Sequence, residues 1–183
     1  MKFSKTLITT AILGFLLASF HSTARADTPA QQFQQGVEAT ERGDYQAAFK
    51  LWLPLAEQGN ASVQFNLGVM YENGQGVKQD YFEAVKWYRQ AAEQGDAMAQ
   101  SNFGAAYSAG RGVRQDYVEA VKWFKKSAEN GGKEGQRKLG IMYFLGLGIQ
   151  KDRTLAKEWL GKACDNGDQQ GCEFYGKLNR GAL

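Results

Sequence analysis

The chain has 183 residues, two prolines and a formal charge of +3, and its length suits one domain without a Ser/Pro-rich linker. The charge resides in the first 26 residues, because removing Lys2, Lys5 and Arg25 leaves equal numbers of basic and acidic side chains. A nucleic-acid partner therefore has no compositional support. The single histidine, His21, lies in the same segment. The remaining chain excludes histidine-dependent catalysis and zinc binding by histidine.

The first 26 residues have the pattern of a secretory signal peptide. Two lysines precede an apolar run from Leu7 to Phe20, and Ala24, Arg25 and Ala26 form an A-x-A cleavage site. A transmembrane anchor is the alternative, but about 14 apolar residues are fewer than the ~20 that span a bilayer. The pattern predicts cleavage after Ala26 and a periplasmic or secreted mature chain, 27–183, with no integral membrane segment.

A period of 36 residues runs through the rest of the chain. The same interval separates members of three series: Gly59, Gly95, Gly131 and Gly167; Leu51, Trp87, Trp123 and Trp159; Tyr71, Tyr107 and Tyr143. A fixed period of this length is typical of stacked helical units that share one continuous core. The period predicts a helix pair at 30–59, full units at 60–95, 96–131 and 132–167, and a capping helix at 168–183.

Each full unit reads as a helix A, a glycine-rich loop and a helix B. Helix A contains a glycine in every unit, at 68, 104 and 140. A glycine inside a helix costs about 1 kcal/mol relative to alanine. We therefore expect another helix to approach closely at this position. Helix B carries an apolar stripe that includes Trp87; such stripes can bind sugars or peptides, but repetition in register favours packing between units.

The loops between helices A and B contain G-x-G. Gly74 and its counterparts suit left-handed helix C-caps, and Asp80 and Asp116 suit N-caps of helix B. Glu83 and Glu119 are placed to complete capping boxes. A phosphate-binding loop is the other interpretation, but it requires a preceding strand and a third glycine. The sequence offers neither, so a turn is predicted.

The units follow the pattern A-x-x-x-L-G-x-x-Y-x-x-G-x-G-V-x-x-D-Y-x-x-A-x-x-W-Y-x-x-A-A-x-x-G, which resembles the Sel-1-like repeat, a relative of the tetratricopeptide repeat. Unit 132–167 departs from it at Arg153, where an aromatic residue is usual, and the first pair, with its shorter loop, has the simpler tetratricopeptide form. The resemblance implies an all-α, right-handed α/α solenoid whose A helices line a concave surface. It also implies an adaptor or scaffold for protein complexes.

Cys164 and Cys172 are the only cysteines, and an even count in an exported chain favours a disulfide. Two free thiols are the alternative. The C-x7-C spacing resembles the cysteine-rich, secreted branch of the same family. A disulfide would join the end of one helix to the start of the next.

The helix geometry of the tetratricopeptide relative implies which helix-A residues face the groove. Their chemistry changes from unit to unit, as in a recognition surface. Glu72 and Ser101 occupy two of these positions. The candidate partner-binding residues are Phe33, Val37, Phe65, Val69, Met98, Arg137, Ile141 and Phe144. We expect Phe33, Phe65, Ile141 and Phe144 to be exposed and to dominate binding; the alternative is that Phe33 and Phe65 pack between units.

The sequence thus predicts a monomeric, exported interaction scaffold of the bacterial envelope that binds a protein or peptide, with no catalytic residue, cofactor or metal. The alternative, raised by some cysteine-rich relatives, is a cell-wall enzyme or a muropeptide- or penicillin-binding protein. The mature chain contains no S-x-x-K, S-D-N or K-T-G element, which serine acyl transfer of that kind requires.

Overall fold

The computed structural model describes residues 27–182, so the predicted signal peptide lies outside the described residues. This range forms α-helices and no strands, which confirms the all-α solenoid of helix pairs. None of the described helices is long and apolar enough to cross a membrane. The helices are α1 Pro29–Glu41, α2 Tyr45–Glu57, α3 Ala61–Asn73, α4 Tyr81–Glu93, α5 Ala97–Ala109, α6 Tyr117–Glu129, α7 Lys133–Leu145, α8 Arg153–Asp165 and α9 Gln169–Asn179.

Each helix packs mainly on the helices before and after it in the chain. The odd-numbered helices are the A helices and the even-numbered ones the B helices. In addition, α5 packs on α7, whereas no contact of that extent joins two B helices within residues 27–182. Two A helices, α5 and α7, are therefore closer to each other than any two B helices in this range, as expected if the A helices line the concave side.

Every full unit has a glycine of helix A against a large side chain of helix B. A Cβ added at Gly68 would lie 2.5 Å from the Tyr88 ring, and one at Gly104 would lie 2.8 Å from the Phe124 ring. The same contact joins Gly36 to Trp52 and Gly140 to Leu160. Any Cβ at these positions would overlap its partner. The expected close approach of a neighbouring helix is confirmed.

The loops have the predicted caps but not the predicted capping boxes. Gly74 ends α3 in the left-handed conformation with φ +68°, and the Asp80 carboxylate accepts hydrogen bonds from two N–H groups of α4. The reciprocal bond is absent because the Asp80 N–H donates to the Tyr71 carbonyl at 3.0 Å. Glu83 instead pairs with Lys86 at 3.1 Å. The following unit repeats this arrangement at Asp116, so the capping-box prediction is wrong in both units.

The second glycine of the loop controls the contact between units. At Gly76, with φ +70°, a Cβ would lie 2.5 Å from the carbonyl group of Tyr45, the first residue of the preceding helix B. The loop is a turn, as predicted. Its second glycine also lets the loop rest directly on the backbone of the neighbouring unit.

A ladder of buried glutamine side chains links successive units. Gln64 donates to the Ala56 carbonyl at 2.9 Å and accepts from the Gln94 side chain at 2.7 Å. Two further rungs repeat these bonds: Gln100 with Ala92 and Asn130, and Gln136 with Ala128 and Asn166. Because these amides are buried, losing one partner would leave an unsatisfied polar group at a cost of about 1–3 kcal/mol.

The Cys164–Cys172 disulfide occupies the next rung of this ladder. The two cysteines lie 36 residues after Ala128 and Gln136, and their Cα atoms are 4.4 Å apart. A covalent bond therefore replaces the glutamine–carbonyl hydrogen bond at this rung. It fixes α9, which has no B helix after it in the described range. Closing so short a loop stabilises the fold by about 2–3 kcal/mol on the chain-entropy model.

The glycine contact predicts opposite effects for two glycine-to-alanine changes. Gly104→Ala should lower the free energy of unfolding by about 1–3 kcal/mol, because the new Cβ displaces the Phe124 ring. Gly161→Ala is the matched control in α8, since its Cβ would lie 3.4 Å from the Tyr175 ring, an ordinary contact. This control should be neutral or stabilising by up to about 1 kcal/mol. Urea unfolding followed by circular dichroism measures both, and equal stability of the two variants would contradict the packing account.

Candidate functional site

The concave side of the stack carries a cavity of about 360 Å³ between three successive A helices. We call the surface formed by α3, α5 and α7 the helix-A groove. The floor of the cavity is apolar and includes Val85, Phe124 and Ile141. Its charged groups are Glu72, Arg111, Arg137 and Lys138. This cavity thus combines an apolar interior with three cations and one carboxylate.

The carboxylate of the cavity is already held by the fold. The Tyr88 hydroxyl donates to Glu72 Oε2 at 2.6 Å, and Arg111 Nη1 lies 4.0 Å from Glu72 Oε1. Burial, followed by the hydrogen bond to Glu72, raises the pKa of Tyr88 well above its usual value. The phenol therefore remains a donor at any physiological pH and fixes the Glu72 side chain.

The two cations on α7 differ in their pairing. Arg137 Nε donates to Asp168 Oδ2 at 2.9 Å, in an ion pair whose side chains are 17% and 7% exposed. Lys138 has no carboxylate within ion-pair distance in the described part of the chain, and its ammonium lies 5.9 Å from the centre of the Phe124 ring. Burial and the nearby Arg137 lower the pKa of Lys138. Lys138 is thus the cation of the cavity that makes no ion pair within 4.0 Å in the described range, although Glu72, Glu134 and Asp168 act on its charge from farther away.

A second cavity of about 300 Å³ adjoins the first along the groove. Asn102 lines both cavities, and the second one also contains Phe65, Met98 and Ser101. The Ser101 hydroxyl is buried and has no hydrogen-bond partner in residues 27–182. A buried hydroxyl without a partner is uncommon, because its desolvation is not compensated. The second cavity therefore offers an unsatisfied polar group beside an apolar wall.

The structure separates the predicted groove residues into distinct groups. Arg137 and Ile141 line the first cavity, and Phe65 and Met98 line the second. Met98 is 58% exposed, whereas the other seven candidates are half-buried. The candidates that line neither of these cavities are Phe33, Val37, Val69 and Phe144.

Phe33, Phe65, Ile141 and Phe144 are half-buried rather than fully exposed, because neighbouring side chains cover part of each. Phe33 stacks on Trp52 with ring centres 6.2 Å apart, which fits the alternative of a packing role. Phe65 contacts Tyr88 at 6.0 Å. Ile141 and Phe144 belong to the last core cluster, where Phe144 meets Phe174 of α9 at 5.6 Å.

Arg111, Asn102 and Lys138 line the groove but are not among the residues predicted from the sequence. Arg111 lies in a loop, and Asn102 and Lys138 each follow a predicted position by one residue. A signal was present, since position 138 is a lysine where the two preceding units have asparagines, Asn66 and Asn102. Across residues 27–182, no group of three or more His, Cys, Asp and Glu could hold a metal ion.

The repeat pattern is matched by a known family model. The model described as Sel1 repeat matches residues 33–60, 61–96, 97–132 and 133–168. The chain belongs to the Sel1 repeat family. The first match includes the helix pair whose short loop suggested the simpler tetratricopeptide form. Sel1 repeat proteins are protein-interaction scaffolds.

Solved structures of other Sel1 proteins share the fold. A protective antigen of uropathogenic Escherichia coli with the SLR fold is 37% identical with a TM-score of 0.80, over 87% of this chain and 35% of that one. A Sel1 repeat protein from Oxalobacter formigenes is 34% identical with a TM-score of 0.78, over 86% of this chain and 66% of that one. The chain thus spans about a third of the first protein and just under two thirds of the second.

At lower identity, cysteine rich protein B of Helicobacter pylori shares the fold: it is 22% identical with a TM-score of 0.51, over 80% of this chain and 93% of that one. No curated protein matches the chain.

Proposed function

We propose that this protein is an exported scaffold of the bacterial envelope that binds an extended segment of a partner protein in the helix-A groove. The observation that carries the proposal is the pair of adjoining cavities on α3, α5 and α7. The first of them contains Lys138, which makes no ion pair within 4.0 Å in the described range. We expect a bound segment to supply the partner of this cation.

An extended segment suits this surface because the cavities lie side by side and share Asn102. Successive side chains of such a segment could enter the two cavities in turn. Recognition by a few side chains that enter pockets, with polar groups fixing the orientation, is typical of tight interfaces. The proposal thus places specificity in the residues that differ between units.

Three observations support export. The first 26 residues have the pattern of a signal peptide, the structure contains a disulfide, and one relative is a protective antigen. Disulfides persist mainly in oxidising compartments such as the periplasm and the cell exterior. Export would also bring the groove into contact with envelope or host proteins.

Export predicts that the protein isolated from the cells that produce it begins at Asp27. Mass spectrometry of the intact protein and of its N-terminal peptide measures this directly. Recovery of the envelope or secreted protein with Met1 or Lys2 at its N-terminus would contradict cleavage after Ala26.

The groove is tested by site-specific photo-crosslinking in producing cells. A benzophenone amino acid replaces Met98, which is exposed in the groove, or Phe82, a matched control on α4 that is 75% exposed and lines neither cavity. Crosslinked partner adducts should form at position 98 and be absent at 82. Adducts at 82 alone, or equal adducts at both positions, would contradict binding in the groove. Phe65 is unsuitable for this test because its packing on Tyr88 is part of the fold.

A further inference from the structure

We propose that the first cavity, between α3, α5 and α7, recognises a carboxylate side chain, aspartate or glutamate, of the partner segment. Lys138 is the main ligand of this carboxylate, and Arg111 lies beside it. The proposal rests on the function proposed above and specifies the chemistry of the partner. The class of ligand is a peptide with an acidic residue next to an apolar one.

The charges of the cavity carry this inference. The fold pairs Arg137 with Asp168 at 2.9 Å, and Glu72 with the Tyr88 hydroxyl at 2.6 Å. After these pairings, Lys138 makes no ion pair within 4.0 Å in the described range, although Glu72, Glu134 and Asp168 act on its charge from farther away. A half-buried cation of this kind attracts an anion strongly, since its charge is poorly hydrated and weakly screened. The cavity is therefore electrostatically complementary to a negative side chain.

Arg111 is placed to act as a second donor. Its side chain is 60% exposed, lies 4.0 Å from Glu72 and rests near the Tyr81 ring at 5.8 Å. The long Glu72 contact leaves guanidinium N–H groups available to an incoming carboxylate. Because Glu72 accepts a short hydrogen bond from Tyr88, it is held on its own side of the cavity. Arg111 thus offsets the repulsion between Glu72 and the ligand.

The surroundings specify what accompanies the carboxylate. Val85, Ile141 and Met142 line the same cavity, so the methylene groups of the acidic side chain would meet apolar walls. The adjoining cavity presents Phe65 and Met98 to the next side chain. An acidic residue flanked by an apolar one satisfies both cavities together.

The groove favours a side chain over the terminal carboxylate of a partner. The larger cavity lies within the stack, with A helices on both sides of it, α1 before and α9 after. A chain can therefore pass through the cavity and continue in both directions. The proposal is that the segment is internal and that its carboxylate belongs to a side chain.

Selection from random peptides displayed on phage tests this chemistry with the purified protein as bait. In the first library the peptide C-terminus is joined to the coat protein, so only side chains supply carboxylates; in the second it is free. We expect peptides from the first library to carry Asp or Glu next to an apolar residue. Lys138→Glu should redirect selection towards Lys or Arg at the same position.

A synthetic selected peptide then measures the contribution of each cation. Its affinity should fall about 10- to 100-fold with Lys138→Met, as expected for loss of one partner of a partly buried charge pair, and be largely retained with Lys138→Arg. Arg111 lies on an exposed loop. Arg111→Gln should therefore leave the fold intact and weaken peptide binding by a smaller factor than Lys138→Met. Lys86→Met is the control, because Lys86 is 58% exposed and lies outside both cavities. Circular dichroism confirms that each variant is folded.

The remaining outcomes separate the two proposals. Peptides without an acidic preference, or unchanged acidic selection by a folded Lys138→Met variant, would overturn the carboxylate site and leave peptide binding in place. Acidic selection only from the library with free C-termini would overturn the side-chain assignment. Failure to select any peptide from either library would overturn both the carboxylate site and the binding of extended segments.

Discussion

The structure depends on the close approach of helices A and B within each unit, where a glycine without a Cβ meets a ring or a branched side chain. Tyr88 and Phe124 cover Gly68 and Gly104, and Leu160 covers Gly140. This contact sets the distance between the two layers of helices. Glycine lowers helix stability by about 1 kcal/mol relative to alanine. Burial of the opposing large apolar side chain stabilises the fold by about 1.5–3 kcal/mol, which outweighs that loss.

Once the layers are fixed, polar bonds determine how units follow one another. Gln64, Gln100 and Gln136 connect each A helix to the end of the preceding B helix, and the next position in this series is Cys172. Among the described helices, α9 packs on the two that precede it, α7 and α8. The disulfide adds a covalent link between α8 and α9 at this position.

The sequence was sufficient for features that depend on a residue's own conformation and on the period, and insufficient for those that depend on contacts between different helices and loops. The period located the helices, and Gly74 indicated its left-handed cap because few other residues adopt that conformation. The capping boxes failed because the Asp80 N–H binds the Tyr71 carbonyl, a partner nine residues earlier. The exposure of Phe144 was misjudged because α9 folds over it. Lys138 was not predicted because its lack of an ion pair depends on a contact between units. Asp168, which follows unit 132–167, pairs with Arg137 and not with Lys138.

Residues that repeat every 36 positions therefore form the scaffold, and residues that differ between units form the groove. The central claim is that a partner contacts the differing residues. Hydrogen–deuterium exchange of the native protein, with and without its crosslinked partner, tests this claim most directly. The account predicts slower exchange in α3, α5 and α7, and in α4 and α6 only around Val85 and Phe124, which line the first cavity, with no change in α2 and α8. Protection confined to the B helices would contradict it.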